Sequence, residues 1–295
     1  MPIPEILKKI RLIEIQSRKP VNQLFAGEYR SVFKGEGLEF HEVREYQPGD
    51  DIRLIDWNVT ARLGRPFIKK FVEERQRTIV LMVDVSASHD YGSLSKSKNE
   101  IAAELAAILA FSAIKNNDLV GLLLFSDKIE KYIPPKKGKK HVMRLIRDIL
   151  FFKREGVKTD ISGALKYFGR VQRKSAIVFL LSDFLGDDYE RPLTALARRH
   201  DLIPVMIKDR FERSFPLHTG LLYVEDQESG EILAVDGGDH GVRESYRQAV
   251  EAEYQRQLRY FRRIKVDCLE LSTDGNYLKP LNLFFKRQQK KALRG

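Results

Sequence analysis

Four nearly unbroken apolar runs, at 78–83, 119–125, 176–181 and 202–207, constrain this chain more than any other feature. Apolar runs of this length, without polar alternation, read as strands buried on both faces. Stretches with apolar residues at helical spacing separate them, at 98–116, 140–152, 161–171 and 189–200. In the first of these, Ile101, Leu105, Ile108, Leu109 and Ala113 fall on the helical period. Residues 128–133 alternate through Ile129, Lys131 and Ile133, as an edge strand does. A long helix over 243–263 and a closing strand over 266–271 complete the series. Buried strands alternating with helices imply a mostly parallel sheet, covered on both faces and joined by right-handed crossovers. The fold class is therefore α/β, of Rossmann type.

Two regions break the alternation. Residues 20–76 carry Gly, Arg and alternating Phe33, Leu38, Phe40, Val43 and Tyr46, with a turn at Gln47-Pro48-Gly49-Asp50. Residues 215–237 hold two short strand-like runs around Gln227-Glu228-Ser229-Gly230, which predicts a hairpin. The two regions are expected to meet as a small β-rich appendage. The chain then divides into 1–76, an N-terminal helix and β-rich region, and 77–295, the main domain with the hairpin inserted. Within the first part, Asp50, Asp51, Arg53, Asp56 and Arg62 are expected to form a buried ion-pair and turn network. Trp57, the only tryptophan, is expected to anchor that region's core.

Composition narrows the function classes. One cysteine, Cys268, excludes an intrachain disulfide and a cysteine-built zinc site. No stretch reaches the ~20 apolar residues that cross a bilayer. The N-terminus is amphipathic without a long apolar core, so a soluble cytoplasmic protein is expected. The net charge of +11 is concentrated at Lys136-Lys137-Gly138-Lys139-Lys140 and in the C-terminal 286–291 stretch. These read as a solvated loop and tail, which leaves peripheral contact with an anionic membrane open. Nucleic acid is not an expected partner, because no zinc-finger or glycine-aromatic signature accompanies the charge. Gly35-x-Gly37 lacks a third glycine and a strand–turn–helix context, and no Walker-type Gly-Lys-Ser/Thr occurs, so no nucleotide loop is expected.

Oxygen-bearing residues gather where a parallel sheet places its ligands, beyond the C-terminal strand ends. Asp84, Ser86 and Ser88 follow the first strand, Thr159 precedes a helix, and Asp183 follows the third buried strand. Two carboxylates and three hydroxyls, with neither cysteine nor histidine, suit a hard divalent cation such as Mg²⁺, or Mn²⁺ or Ca²⁺, better than zinc. Hydroxyls are weak neutral ligands, so an ion held by them keeps charge for a carboxylate from another molecule. Taken singly, each residue also serves as a helix cap, Thr159 for the helix beginning at Asp160 and Asp183 for one near Asp187.

Asp-x-Ser-x-Ser at 84–88, with Thr159 and Asp183, resembles the metal-ion-dependent adhesion site (MIDAS) of von Willebrand factor type A domains. The block GEGLEFHEVREYQPGDDIRLIDWNVTARLGRPFIKKFVEE, residues 35–74, resembles the bacterial "domain of unknown function 58" family, which carries it ahead of a von Willebrand A-like domain. The resemblance covers most of residues 20–210. It implies a von Willebrand A-like fold and a metal bound by Asp84, Ser86, Ser88, Thr159 and Asp183, the acids often acting through water. It also implies partnership with a MoxR-type AAA ATPase. The chain departs from related motifs at His89, where Met is common, and at Val157-Lys158, where a Gly pair is common.

These readings favour a non-enzymatic, metal-dependent protein-binding module that holds an acidic residue of a partner. Its setting would be assembly or maturation of another protein. The alternative is a metal-dependent hydrolase of a phosphoester or polyanion, with Asp84 or Asp183 on the metal and His89 or His141 as base.

Overall fold

The computed structural model describes residues 12, 39–72, 76–90, 96–153, 155–186, 188–209, 212, 220–225, 230–274 and 276–294. The N-terminal amphipathic stretch, Gly35-x-Gly37, the side chain of His89 and the hairpin turn at 226–229 lie outside the described residues. Contacts divide the chain into two units, one within Phe33–Arg77 and the other carried by Thr78–Gly295.

In the smaller unit, β1 (Glu39–Glu45) pairs antiparallel with β2 (Phe67–Val72). Between them comes a 3-10 turn, Ile52–Leu54, and then α1 (Trp57–Leu63). Asp51 caps the turn by accepting from Arg53 N at 3.0 Å. Asp56 caps α1, accepting from Asn58 N at 3.0 Å and Val59 N at 3.2 Å. Gly64 ends α1 at φ 67°, a left-handed conformation that glycine adopts without penalty. The acids of this block thus act as local caps, with Asp50 paired to Arg44 at 2.7 Å. The expected buried ion network is not what forms, since Asp51, Arg53 and Arg62 are exposed. Nor is Trp57 a core anchor: it stands at the start of α1 and is 69% exposed.

The larger unit holds a six-stranded sheet of order β10-β7-β6-β3-β4-β5. Its strands are β3 (Thr78–Asp84), β4 (Leu119–Phe125), β5 (Ile129–Lys136), β6 (Ile177–Ser182), β7 (Asp201–Lys208) and β10 (Leu269–Ser272). All pairings are parallel except β4 with β5. The edge strand β5 carries Pro134 and Pro135. A Cβ at Gly121 on β4 would meet Pro135 Cγ at 3.0 Å, so the glycine makes room for that edge.

α2 (Lys98–Lys115), α3 (Lys139–Phe151), α4 (Ile161–Val171), α5 (Glu190–Ala197) and α6 (His240–Arg263) supply the helices the periodicity predicts. α2 begins with a capping box between Ser97 and Glu100. Ala102, Ala103, Ala106, Ala107 and Ala110 are buried around it, as for a helix enclosed by its neighbours. On one side of the sheet, Val80, Met82, Leu123, Phe125, Val178 and Leu180 meet Phe168, Leu193 and Phe261 from α4, α5 and α6. Cys268 packs half-buried against that cluster.

Two expectations are corrected. The basic C-terminal stretch is a helix, α7 (Leu278–Arg294), which buries Leu281, Phe284 and Phe285. Pro280 lies in its first turn, where the missing N–H costs nothing. The 215–237 hairpin forms as β8 (Leu221–Glu225) against β9 (Ile232–Asp236), and among the described residues it is a two-stranded sheet separate from β1–β2. Among the described residues, no helix is long and apolar enough to cross a membrane.

Candidate metal centre

The chain leaves β3 for β4 on one side and returns as β6 on the other, which makes the end of β3 a switch point of the sheet. Asp84 occupies it and is fully buried. Its Oδ1 accepts from Ser86 N at 2.9 Å, and its Oδ2 accepts from the hydroxyl of Ser182 at 2.8 Å. A buried carboxylate needs such donors to stay charged. Residues 87–90 then turn as a short 3-10 helix.

Ser86 and Ser88 turn to the same side, with their Oγ atoms 3.1 Å apart. Two cis ligands of an octahedral ion with ~2.1 Å bonds lie about 3.0 Å apart, so this pair fits a Mg²⁺-type site. The Thr159 loop is fastened alongside: Ala87 N donates to Val157 O at 3.0 Å, and Asp160 N donates to Ser126 O at 2.8 Å. Glu130 on β5 holds the start of that loop through one oxygen, Oε1. It accepts from Gly156 N at 2.8 Å, Glu155 N at 3.1 Å and the Ser126 hydroxyl at 2.7 Å. Burial pushes the Glu130 carboxyl up, and the bonds from Gly156, Ser126 and Glu155 outweigh it, so its pKa lies below the ordinary value. A Cβ at Gly156 would fall 2.1 Å from Ser126 Oγ and 1.9 Å from Asp127 Oδ1, so any larger residue must displace those side chains.

Asp183 is buried at the end of β6. Its Oδ1 accepts from Leu185 N at 3.2 Å, and its Oδ2 meets Lys98 Nζ at 2.9 Å. Phe184, between them, holds φ 57°, a conformation that strains a bulky residue by about 1–3 kcal/mol. Its ring is locked 5.3 Å from Phe261, and its carbonyl accepts from Gln257 at 2.9 Å. Packing therefore enforces the turn that aims Asp183.

The capping alternative is not what the structure uses. α4 is capped by Asp160, which accepts from Gly163 N at 2.8 Å, and not by Thr159. α2 is capped by Ser97, and α5 starts at Tyr189 without a side-chain cap. Asp84 thus ends β3 with Ser86 and Ser88 following it, Asp183 follows the neighbouring strand β6, and Thr159 lies in the α3–α4 connection fastened beside them; none caps one of these helices. Among the described residues, no three His, Cys, Asp or Glu side chains gather as a metal cage. A cation here would rest chiefly on hydroxyls.

Sequence reasoning missed Ser182, Glu130 and Lys98. Lys98 is fully buried, paired with both Asp183 and Glu212. Burial drives its ammonium towards the neutral form, but the charges of Asp183 and Glu212 prevail and raise it above the ordinary lysine value. The only signal for it was its place just after the Ser97 cap, which normally marks a solvated residue.

Fold and site together define an α/β domain with a mostly parallel sheet and oxygen-bearing residues gathered at its switch point. The chain matches the model of the family described as "Protein of unknown function DUF58" over residues 42–256, a stretch containing all five candidate residues, and it belongs to that family. An uncharacterised protein of Mycobacterium tuberculosis (strain H37Rv) is 28% identical over 295 residues, covering 99% of this chain and 92% of the relative. Among solved structures, the conserved hypothetical protein BatB of Bacteroides thetaiotaomicron is similar over 74% of this chain and 100% of its own, at TM-score 0.44 and 14% identity. Proximal thread matrix protein 1 of the mussel byssus, with a zinc-occupied MIDAS motif, is similar over 45% of this chain and 38% of its own, at TM-score 0.37 and 21% identity.

Proposed function

We propose that this protein is a metal-dependent protein-binding module of the adhesion-site type. Ser86, Ser88 and Thr159 would contact a hard divalent cation, Mg²⁺ or alternatively Mn²⁺ or Ca²⁺, and Asp84 and Asp183 would act through water. The observation that carries this reading is the 3.1 Å pair of serine hydroxyls beside two carboxylates whose oxygens already accept from the protein. Those bonds favour the charged form of both acids, and the two serine hydroxyls lie within hydrogen-bond distance of each other beside Asp84. A bound ion, contacted mainly by neutral hydroxyls, would keep an open position for a partner's carboxylate. Lys158, exposed beside Thr159, would attract such an acidic partner.

The proposed role is non-catalytic and cytoplasmic, in assembly or maturation of another protein together with a MoxR-type AAA ATPase. Titration calorimetry with Mn²⁺ and Mg²⁺ tests the centre. One site is expected in the wild type, weakened at least about tenfold in Ser86→Ala/Ser88→Ala. Equal affinity in the two proteins sinks the reading. Pulldown of the ATPase with and without EDTA tests the partner, and EDTA-resistant capture would exclude a metal bridge.

A further inference from the structure

A lysine is rarely fully buried, and Lys98 is buried beside a candidate metal ligand. The Ser97–Glu100 capping box fixes its backbone in the first turn of α2. Its ammonium contacts Asp183 Oδ2 at 2.9 Å and Glu212. Glu212 is itself held, since Asp209 N donates to its Oε2 at 2.9 Å and the Tyr246 hydroxyl donates to its carbonyl at 3.1 Å. The lysine is therefore anchored from the β7 end and from α6, while it grips the β6 end.

We propose that Lys98 is a positioning residue that sets the cation affinity of the centre and keeps it receptive to an outside carboxylate. The inference rests on the metal reading above. By occupying Asp183 Oδ2, Lys98 keeps that carboxylate from direct coordination and places a fixed positive charge beside the ion. Asp84, Asp183 and Glu212 against Lys98 leave two net negative charges, which one divalent ion neutralises. Without the ammonium, three carboxylates would exceed the ion's charge and repel a fourth from a partner. A purely structural ion triad would behave differently, because replacing buried ion pairs with apolar groups alters stability and leaves metal affinity alone.

Mn²⁺ titration by calorimetry or by electron paramagnetic resonance, with folding followed by far-ultraviolet circular dichroism, tests this on the full chain. Lys98→Met removes the charge with similar bulk. Lys98→Met/Glu212→Gln removes both partners and keeps the net charge of the wild type. Both variants are expected to bind Mn²⁺ about fivefold or more tightly than the wild type. In the double variant, that gain isolates the release of Asp183 from overall charge. Unchanged or weaker affinity in the folded double variant overturns the proposal, as does loss of fold in both variants. A wild type that binds no Mn²⁺, beside a double variant that does, would sink the metal reading of the native protein while upholding the role of Lys98.

Discussion

Ser182 and Asp84 end neighbouring strands, and the serine hydroxyl donates to the aspartate at 2.8 Å while accepting from Phe184 N at 3.1 Å. One buried hydroxyl thus supports the carboxylate at the switch point and the strained turn after Asp183. Ser182→Ala is expected to cost about 1.5–3 kcal/mol, because it withdraws a donor from a buried charge. Urea denaturation of wild type and variant measures it, and a loss under about 0.5 kcal/mol would show that Asp84 finds another donor.

Gly156 sets the approach of the Thr159 loop. Gly156→Ala must push aside Ser126 and Asp127, and so disturb the grip of Glu130 on the loop. Mn²⁺ affinity is expected to fall several-fold while the sheet, whose strand pairings the loop does not share, keeps its cooperative melt. Mn²⁺ titration alongside thermal denaturation checks both halves.

His200 is buried, 5.3 Å from the ring of Phe168, and neither of its ring nitrogens meets a hydrogen-bond partner among the described residues. Burial, with the nearby Arg199 charge, holds its pKa below 6.5. Below pH 6.5 the unfolded chain therefore binds a proton that the folded chain refuses. Stability is expected to fall as pH drops from 6.5 through the folded-state pKa. His200→Phe should flatten this part of the curve, measured by denaturant midpoints between pH 7.5 and 5. An identical slope in wild type and variant would remove His200 from the account.

Trp57 offers a direct optical check, since it is 69% exposed. Its emission is expected near that of a solvated indole, with acrylamide quenching close to that of the denatured chain. A blue-shifted, protected emission would contradict the exposed position.

The sheet and its helices were legible because continuous apolar runs and helical spacing survive without knowledge of partners. The boundaries of α4 and β4 fell where the pattern put them. That Asp84 and Asp183 are neighbours was legible too, because they end adjacent parallel strands, whereas Thr159 comes alongside only through the backbone bonds of the α3–α4 connection. Lys98 was not, since its meaning depends on Asp183, 85 residues away, and on Glu212. Trp57 misled for the opposite reason: its aromatic surface suggested burial, while its position after the Asp56 cap turned it outward. α7 was hidden by its charge, for a basic stretch reads as a tail until Leu281, Phe284 and Phe285 find a surface to cover.

The prolines of β5 have a consequence for recognition. Pro134 and Pro135 lack the N–H groups that an incoming extended peptide would need along that edge. The opposite edge, β10, offers only four residues. A partner is thus discouraged from joining this protein by strand augmentation. Under the proposed function, selectivity would then fall to side chains at the loop end of the sheet, where a substitution exposed to solvent would change the choice of partner more than the fold.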